Sequence, residues 1–485
     1  MALGLGALAA FGHAPYGMWP ITLFVLALVP WLLREVQGAR AAGSIGWALG
    51  TGYFMHALVW IVEPFLVDIG RHGWMAPFAL VFLAAGMALY WASAFVGAQA
   101  LGRTETGRGL ALIVTWSLAE LARAYLLTGF PWGGIAQIWI GSPVAATLAW
   151  IGPHGLTLLS LALTIGSGLA LRDRRMLALA IVPLVVMGAA ALAPRAVVEP
   201  GDHTVRLVQP NAPQHQKWDP EMIPVFFQRQ IDFTSAGPRP DLIVWPETSV
   251  PVLLEYAGSA FGQMAEAASG TPLVAGVQRS DGARAYNSLV HMDAAGRITA
   301  IYDKHHLVPF GEYIPGGNFA AGLGLRGFAA QEGDGYSAGP GPQVMDFGPL
   351  GLAAPLICYE AVFPQDVGAT PVRGDFLLQI TNDAWFGEYI GPYQHLAQAR
   401  MRAIEQGLPM VRVANTGISA MIDPNGEIVA ELPLGQAGYV DAVLPPPLPP
   451  TPYAKSGDWP MIAGLLAAFT GLCGLRLRVG MRNSD

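Results

Sequence analysis

Residues 351–364 read GLAAPLICYEAVFP, an apolar run that stops at a thiol, Cys358, and passes at once to Tyr359 and a carboxylate, Glu360. The run is short, apolar and opened by a glycine, which is the pattern of a buried strand. The thiol at its end asks for a reason, because the chain of 485 residues holds only two cysteines. Cys473 lies in a C-terminal apolar run, so a disulfide between the two is not expected and no disulfide scaffold is available. A lone cysteine after an apolar run is most often a small buried hydrophobe. Cys358 needs partners before it can be anything more.

Working outward, further short runs of the same kind surround it: TVRLVQP (204–210), DLIVWPE (241–247), TPLVAGVQ (271–278), DFLLQITND (375–383) and MVRVANTG (410–417). They alternate with helical patterns such as QHLAQARMRAIEQG (394–407), and DAAGRITAIYDK (293–304) and IDPNGEIVAEL (422–432) read as hairpins around Gly-containing turns. An α/β or α+β sandwich with helices covering strands is expected. Two of the runs end, like that of Cys358, on an ionisable group: Glu247 after Trp245-Pro246, and Lys304 in IYDKHHLVPFGEYIP (301–315). Singly these are ordinary, a turn carboxylate and a surface ammonium. Together the three suit acyl transfer. A thiol needs a base to become nucleophilic, a carboxylate desolvated by Trp245 and Pro246 becomes basic enough to serve, and an ammonium stabilises the oxyanion of an attacked carbonyl.

Composition sets the surroundings. The chain is 53% hydrophobic and 13% charged, too apolar for an ordinary soluble protein. Its net charge of −7, without a Lys/Arg cluster, gives no reason to expect nucleic acid. A helix needs about 20 apolar residues to cross a bilayer. Candidate spans lie near 18–33, 42–62, 75–101, 109–127, 141–171, 176–193 and 459–475. The apolar start MALGLGALAAF (1–11) is shorter and is expected to be the stump of a further span. Arg34 and Arg40, Arg103 and Arg108, Arg172, Arg174 and Arg175, and Arg476, Arg478 and Arg482 follow alternate spans. The positive-inside rule places these segments in the cytoplasm and the large polar domain on the opposite, periplasmic face of a bacterial inner membrane. The expected organisation is a helical membrane bundle (1–195), a periplasmic catalytic domain (202–445), a Pro-rich return linker with interfacial Tyr453 and Trp459 (446–458 and its exit), and a C-terminal span with a basic tail (459–485).

Glu247, Lys304 and Cys358 in that order, set in WPE, YDKHHLVPFGE and ICYE, resemble the nitrilase superfamily; TNDAWFG (381–387), QARMRAIEQGLPMVRVANTG (398–417) and YNS (286–288) add to the likeness. A nitrilase-like domain between a helical bundle and a last span, with GFPW (129–132) and KWDP (217–220), is similar to the apolipoprotein N-acyltransferase family over nearly the whole chain. The resemblance implies an αββα sandwich, with Cys358 as nucleophile, Glu247 as general base and Lys304 as oxyanion stabiliser. It also implies Glu312 as a second glutamate beside them, Tyr359 and Glu360 shaping the nucleophile loop, and Trp218 and Asn287 positioning substrate. The implied reaction takes an acyl chain from a phospholipid, by analogy phosphatidylethanolamine, onto Cys358 as a thioester, and then onto the α-amine of a diacylglyceryl-modified N-terminal cysteine of an apolipoprotein. No cofactor or metal is called for, and a monomer is expected.

Other features read more plainly. The Gly-rich stretch 316–339, with Phe319, Leu323, Leu325 and Phe328, is expected to be a lid or an ordinary loop. Its Gly322, Gly324 and Gly327 match a dinucleotide spacing but lack a preceding strand. His305 and His306, adjacent in a strand, would point to opposite faces and so could not both face one metal. Glu120 and Arg123, at helical spacing within a span, are expected to form a structural ion pair. Two rival readings remain: a membrane-tethered amidase acting on small periplasmic amides, and a transporter or receptor with a ligand-binding external domain.

Overall fold

The computed structural model describes residues 1–315 and 335–481. The segment 316–334 of the expected lid, with its four apolar side chains and its glycine triplet, lies outside the described residues, as does Arg482. The chain divides into two compact units: Met1–Pro194 with Thr451–Asp485, and Arg195–Pro450.

The first unit is helical throughout. Its principal helices are α1 (Ala2–Ala9), α2 (Trp19–Leu32), α3 (Ala39–Ala57), α4 (Ala76–Leu101), α5 (Glu105–Tyr125), α6 (Leu148–Ala170) and α7 (Leu177–Leu192), with a last long helix, Trp459–Met481, from the C-terminal segment. Every expected span contains a helix, but not every helix is a span by itself. Four stretches, Ile69–Leu101, Pro143–Ala170, Arg174–Leu192 and Trp459–Arg478, are long and apolar enough to cross a bilayer, and a fifth is if the pair bent by 65° between Ala57 and Val59 counts as one. The expected span 42–62 is therefore broken, and α2, at 14 residues, is short. Large side chains such as Phe78, Phe82, Val182 and Val185 stand more than half exposed on α4 and α7. Only a hydrocarbon solvent tolerates that much bare apolar surface.

Helix α5 differs because it carries a buried ion pair. Arg123 donates to Glu120 at 2.7 Å, and Trp91 Nε1 donates to the same carboxylate at 2.7 Å. The remaining guanidinium donors reach the carbonyls of Phe130 and, at 2.8 Å, Trp132. The pair thus satisfies itself and pins the GFPW turn, which accounts for a charge at a depth where charge is costly. Tyr453 of the linker packs against the protein itself. It is buried, donates to Asp458 at 3.0 Å, and packs its ring on Gly152, where the backbone has a φ of +62°. A Cβ there would lie 2.1 Å from the Tyr453 ring.

The second unit holds two six-stranded sheets. The first is ordered β12 (Gly438–Val443), β1 (Thr204–Gln209), β2 (Leu242–Val244), β3 (Leu273–Asp281), β4 (Arg284–Met292), β5 (Ile298–Asp303), and the second β11 (Ile428–Leu432), β10 (Ser419–Ile422), β9 (Met410–Ala414), β8 (Phe376–Thr381), β7 (Leu352–Ile357), β6 (Met345–Asp346). Both repeat one plan: an antiparallel edge strand, two parallel pairings, then two antiparallel ones. Both expected hairpins are present, as β4 (Arg284–Met292) with β5 (Ile298–Asp303) and β10 (Ser419–Ile422) with β11 (Ile428–Leu432). Helices α8 (Ile223–Ser235) and α9 (Gly258–Ala268) cover the first sheet, with Phe261 and Met264 against Val208, Ile243 and Ala275. Helix α10 (Gly391–Gln406) covers the second, with Leu396, Ala399 and Ala403 against Leu356, Leu377 and Met410. The inner faces meet through β1 (Thr204–Gln209) and β9 (Met410–Ala414), giving four layers, αββα. Strand side chains alternate between a helix and the opposite sheet, so the central strands are apolar on both faces.

Replacing Gly152 by alanine should lower the melting temperature of the detergent-solubilised protein. The positive φ and the blocked Cβ position together predict a loss of about 1–3 kcal/mol, read from thermal unfolding.

Candidate active site

Three strands of the second unit deliver the three groups. β2 (Leu242–Val244) runs out through Trp245 and Pro246 to Glu247, β5 ends one residue before Lys304, and β7 (Leu352–Ile357) ends one residue before Cys358. Glu247 and Lys304 therefore leave one sheet and Cys358 the other. Gly276 of β3 (Leu273–Asp281) lets the Glu247 segment lie directly on it: a Cβ at 276 would fall 2.4 Å from the Thr248 nitrogen. The amide nitrogen of Ser249 donates to Gly276 at 2.9 Å, and that of Gly276 donates to Pro246 at 3.1 Å.

The side chains converge in a buried cluster. Lys304 Nζ donates to Glu312 Oε1 at 2.9 Å and lies 3.8 Å from Glu247 Oε1. Asn287 Nδ2 donates to Glu247 at 2.6 Å and to Glu312 at 3.3 Å. The second oxygen of Glu312 accepts from the Val308 amide at 2.8 Å. The Cys358 thiol is buried within electrostatic reach of Glu247 and Lys304 and pairs with the Thr381 hydroxyl. Trp218, by contrast, is 42% exposed and makes its ring contact with the neighbouring Lys217.

Electrostatics follow from this burial. Desolvation raises Glu247, and the Glu312 carboxylate adds to the rise while Lys304, Asn287 and Lys217 oppose it. Desolvation alone would lower Lys304, but Glu312 and Glu247 outweigh it and hold the ammonium well above its ordinary range. Burial pushes the Cys358 thiol up, Glu247 adds to that, and Lys304 works against it. The arrangement is a thiol that burial keeps protonated, near a carboxyl group of raised basicity and a lysine whose positive charge is reinforced by its neighbours.

Cys358 sits at φ +52°, a left-handed conformation that costs a non-glycine residue about 1–3 kcal/mol. Glu360 holds it there. Fully buried, its carboxylate accepts from the Ile357 amide at 2.7 Å, from the His305 and His306 amides at 2.7 and 3.2 Å, and from the Tyr302 hydroxyl at 2.9 Å. One carboxylate thus ties the thiol's loop to the loop that carries Lys304. Tyr359 packs edge-on against His306 and Phe363. The two histidines do not diverge as a strand would require, because the strand has already ended at Asp303. Both rings reach Asp366, His306 Nδ1 at 2.6 Å and His305 Nε2 at 3.8 Å.

Beneath the thiol lies a second cluster that sequence reasoning did not assemble. Gln379 Nε2 donates to the Cys358 carbonyl at 3.1 Å, and its oxygen accepts from Arg412 at 2.6 Å. Arg412 also donates to Asp383 at 2.5 Å, which pairs with His395 Nδ1 at 2.8 Å and with the Thr381 hydroxyl at 2.9 Å. All are buried and mutually satisfied, so the cluster fixes the carbonyl of Cys358 from below. Its members lie up to 54 residues from Cys358 along the chain (412 − 358); Thr381, Asp383 and Arg412 fall in stretches that resemble the family, but nothing in those stretches marks them as meeting beneath the thiol.

His305 provides a pH test of the loop coupling. Burial pushes it down, but Asp366 and Glu360 outweigh that and hold it up at about 9. A folded-state value above the unfolded one of about 6.5 means that the stabilisation is full below about 6.5 and is lost as pH rises through about 9. Melting temperature should fall across that window, and His305→Gln should flatten the fall.

Known proteins supply the comparison. A family model for the apolipoprotein N-acyltransferase N-terminal domain matches residues 5–166, and one for carbon-nitrogen hydrolases matches residues 230–447. The chain is 37% identical to the apolipoprotein N-acyltransferase of Rhodopseudomonas palustris, over 99% of this chain and 95% of that protein. It is also 37% identical to that of Caulobacter vibrioides, over 100% of this chain and 96% of the relative. Among solved structures, an amidase from Nesterenkonia sp. aligns over 56% of this chain and 98% of its own, with 19% identity and a TM-score of 0.38.

Proposed function

The chain belongs to the apolipoprotein N-acyltransferase family, and from that premise we propose that it carries a fatty acyl chain from a phospholipid, through a thioester on Cys358, to the N-terminal amine of a diacylglyceryl-modified apolipoprotein. The observation that carries the reading is the buried convergence of Glu247, Lys304 and Glu312 on the strand end bearing Cys358.

In the first half-reaction Glu247 takes the thiol proton as Sγ bonds to the ester carbonyl carbon. Because burial keeps the thiol protonated, proton transfer accompanies attack rather than preceding it. The developing oxyanion is held by the Lys304 ammonium and by main-chain N–H groups following Cys358. Collapse breaks the ester C–O bond, and Glu247 returns the proton to the departing alkoxide, leaving a lysophospholipid and an acyl-enzyme. In the second half-reaction the α-amine attacks the thioester carbonyl, Glu247 accepts the amine proton, and the C–S bond breaks. The thiolate leaves and regains its proton from Glu247. An amide replaces a thioester, and the two substrates use one site in turn.

Phosphatidylethanolamine is the proposed donor, and a monomer is the proposed assembly. The basic segments after alternate helices support an inner-membrane protein with the second unit in the periplasm. A bilayer-embedded unit is intelligible when both donor and acceptor are lipids, whereas cleavage of a small soluble amide needs none.

Intact-mass spectrometry tests this. Incubation with phosphatidylethanolamine should add one acyl mass at Cys358, and a diacylated lipopeptide should remove it with formation of the N-acyl product. Cys358→Ala should abolish the adduct, and Glu247→Gln should slow its formation by about 10²–10⁴-fold. Turnover of simple amides with no adduct from phospholipid would instead favour an amidase.

A further inference from the structure

A cleft in the second unit is lined by Trp218, Ile223, Phe226 and Phe227, and its wall includes two buried polar side chains, Lys217 and Gln230. Lys217 Nζ donates to the main-chain carbonyl of Glu247 at 3.2 Å, and among the described residues it forms no contact ion pair. An ammonium has three N–H donors, so a buried one with a single acceptor is poorly compensated. Burial lowers Lys217 to about 8, with the Glu247 carboxylate acting in the opposite sense. Gln230 is similarly unfinished. Its amide nitrogen faces the carbonyls of Phe226 at 3.3 Å and Ser249 at 3.4 Å, which leaves Oε1 as a buried acceptor with no partner. Lys217 and Gln230 therefore hang from carbonyls two residues apart, on the segment that presents Glu247.

A single under-compensated cation and a free acceptor, set among aromatic and aliphatic side chains, complement an amphiphile with an anionic head. We propose that Lys217 receives the phosphodiester of the acyl-donor phospholipid and that Gln230 Oε1 accepts an N–H or O–H from its headgroup. The inference rests on the acyl transfer from phospholipid argued above and assigns the recognition of the donor's charge. Lys217 is thereby a specificity-determining residue: the phosphodiester completes its coordination, and its contact with the Glu247 carbonyl links that event to the base. Other charges close to Lys217 are few. Glu247 is the carboxylate that acts on it, and the nearest ring is that of Trp218, 5.5 Å from Nζ.

The test compares two acyl donors by the rate of Cys358 acylation in the full-length, detergent-solubilised protein: phosphatidylethanolamine, and a p-nitrophenyl acyl ester, which has no phosphate. Lys217→Met should lower the ratio of the phospholipid rate to the p-nitrophenyl ester rate by about tenfold or more, with half-saturation by phospholipid shifted upward. Lys217→Arg should restore most of the ratio, and Gln230→Leu should lower it by about two- to fivefold. Equal losses for both donors in Lys217→Met would overturn the inference, because Lys217 would then act only through the position of Glu247. An unchanged ratio in both Lys217→Met and Gln230→Leu would do so as well. Wild-type protein acylated by the p-nitrophenyl ester and not by any phospholipid would overturn the acyl-transfer reading itself, and this assignment with it.

Discussion

A lysine ammonium buried between two carboxylates is the constraint around which the site is built. Lys304 is 1% exposed, and removing an ammonium from water costs several kcal/mol unless other charges compensate it. Glu312, at 2.9 Å, does most of that work, since its second oxygen is already fixed by the Val308 amide. Glu247, at 3.8 Å, is the looser partner and takes its shorter hydrogen bond from Asn287. Burial and the neighbouring Glu312 raise the basicity of Glu247, with Lys304, Asn287 and Lys217 opposing the rise. The second glutamate thus takes the closer contact with the cation and leaves Glu247 the less tightly held of the two carboxyl groups, which is what the proposed base requires.

That balance depends on the sandwich, because neither sheet holds the complete set. The first sheet supplies Glu247, Asn287 and Lys304, and the second supplies Cys358 and Thr381. Packed sheets keep a nearly fixed spacing, so strand ends on opposite sheets can be held at contact distance without a mobile loop. Glu360 adds a direct tie, binding the amides of His305 and His306 on one side and that of Ile357 on the other. The strained φ of Cys358 persists because Glu360 fixes the chain on one side of it and the Gln379 amide, backed by Arg412, Asp383 and His395, fixes its carbonyl on the other.

What could be read in the sequence divides along the same lines. Strand runs, hairpins and the covering helices follow from local periodicity, and the three reactive side chains stand out because each follows such a run. The ammonium-carboxylate cluster could be anticipated only as a set of residue types, and the spacing between them is a property of tertiary packing. Glu360 looked like a neighbour of the thiol and proves to be a hub, because three of its partners come from residues 302–306. Asp383, His395 and Arg412 are ordinary polar residues of a loop, a helix and a strand until the fold brings them together. In the helical unit, apolar runs located the helices, but a run of hydropathy does not show a bend, so the break at Leu58 and the burial of Tyr453 on Gly152 could not be read from it.

Acyl transfer and hydrolysis differ only in what attacks the thioester, so a thiol, base and cation serve either equally well. The distinction has to come from what can reach the acyl-enzyme. Large apolar side chains left exposed on α4 and α7 indicate that this unit lies in a bilayer, and a lipid-anchored amine is confined to the same thin layer. Confinement of both reactants raises their effective concentration at the protein, whereas water is least available where acyl chains gather. A cysteine nucleophile fits that partition, since a thioester reacts readily with an amine, and a buried site can withhold it from the solvent until one arrives. On the proposed mechanism the pairing of a nitrilase-like sandwich with a membrane bundle in one chain is a chemical requirement as much as an architectural one: the sandwich makes the thioester, and the bilayer decides which nucleophile takes the acyl group from it.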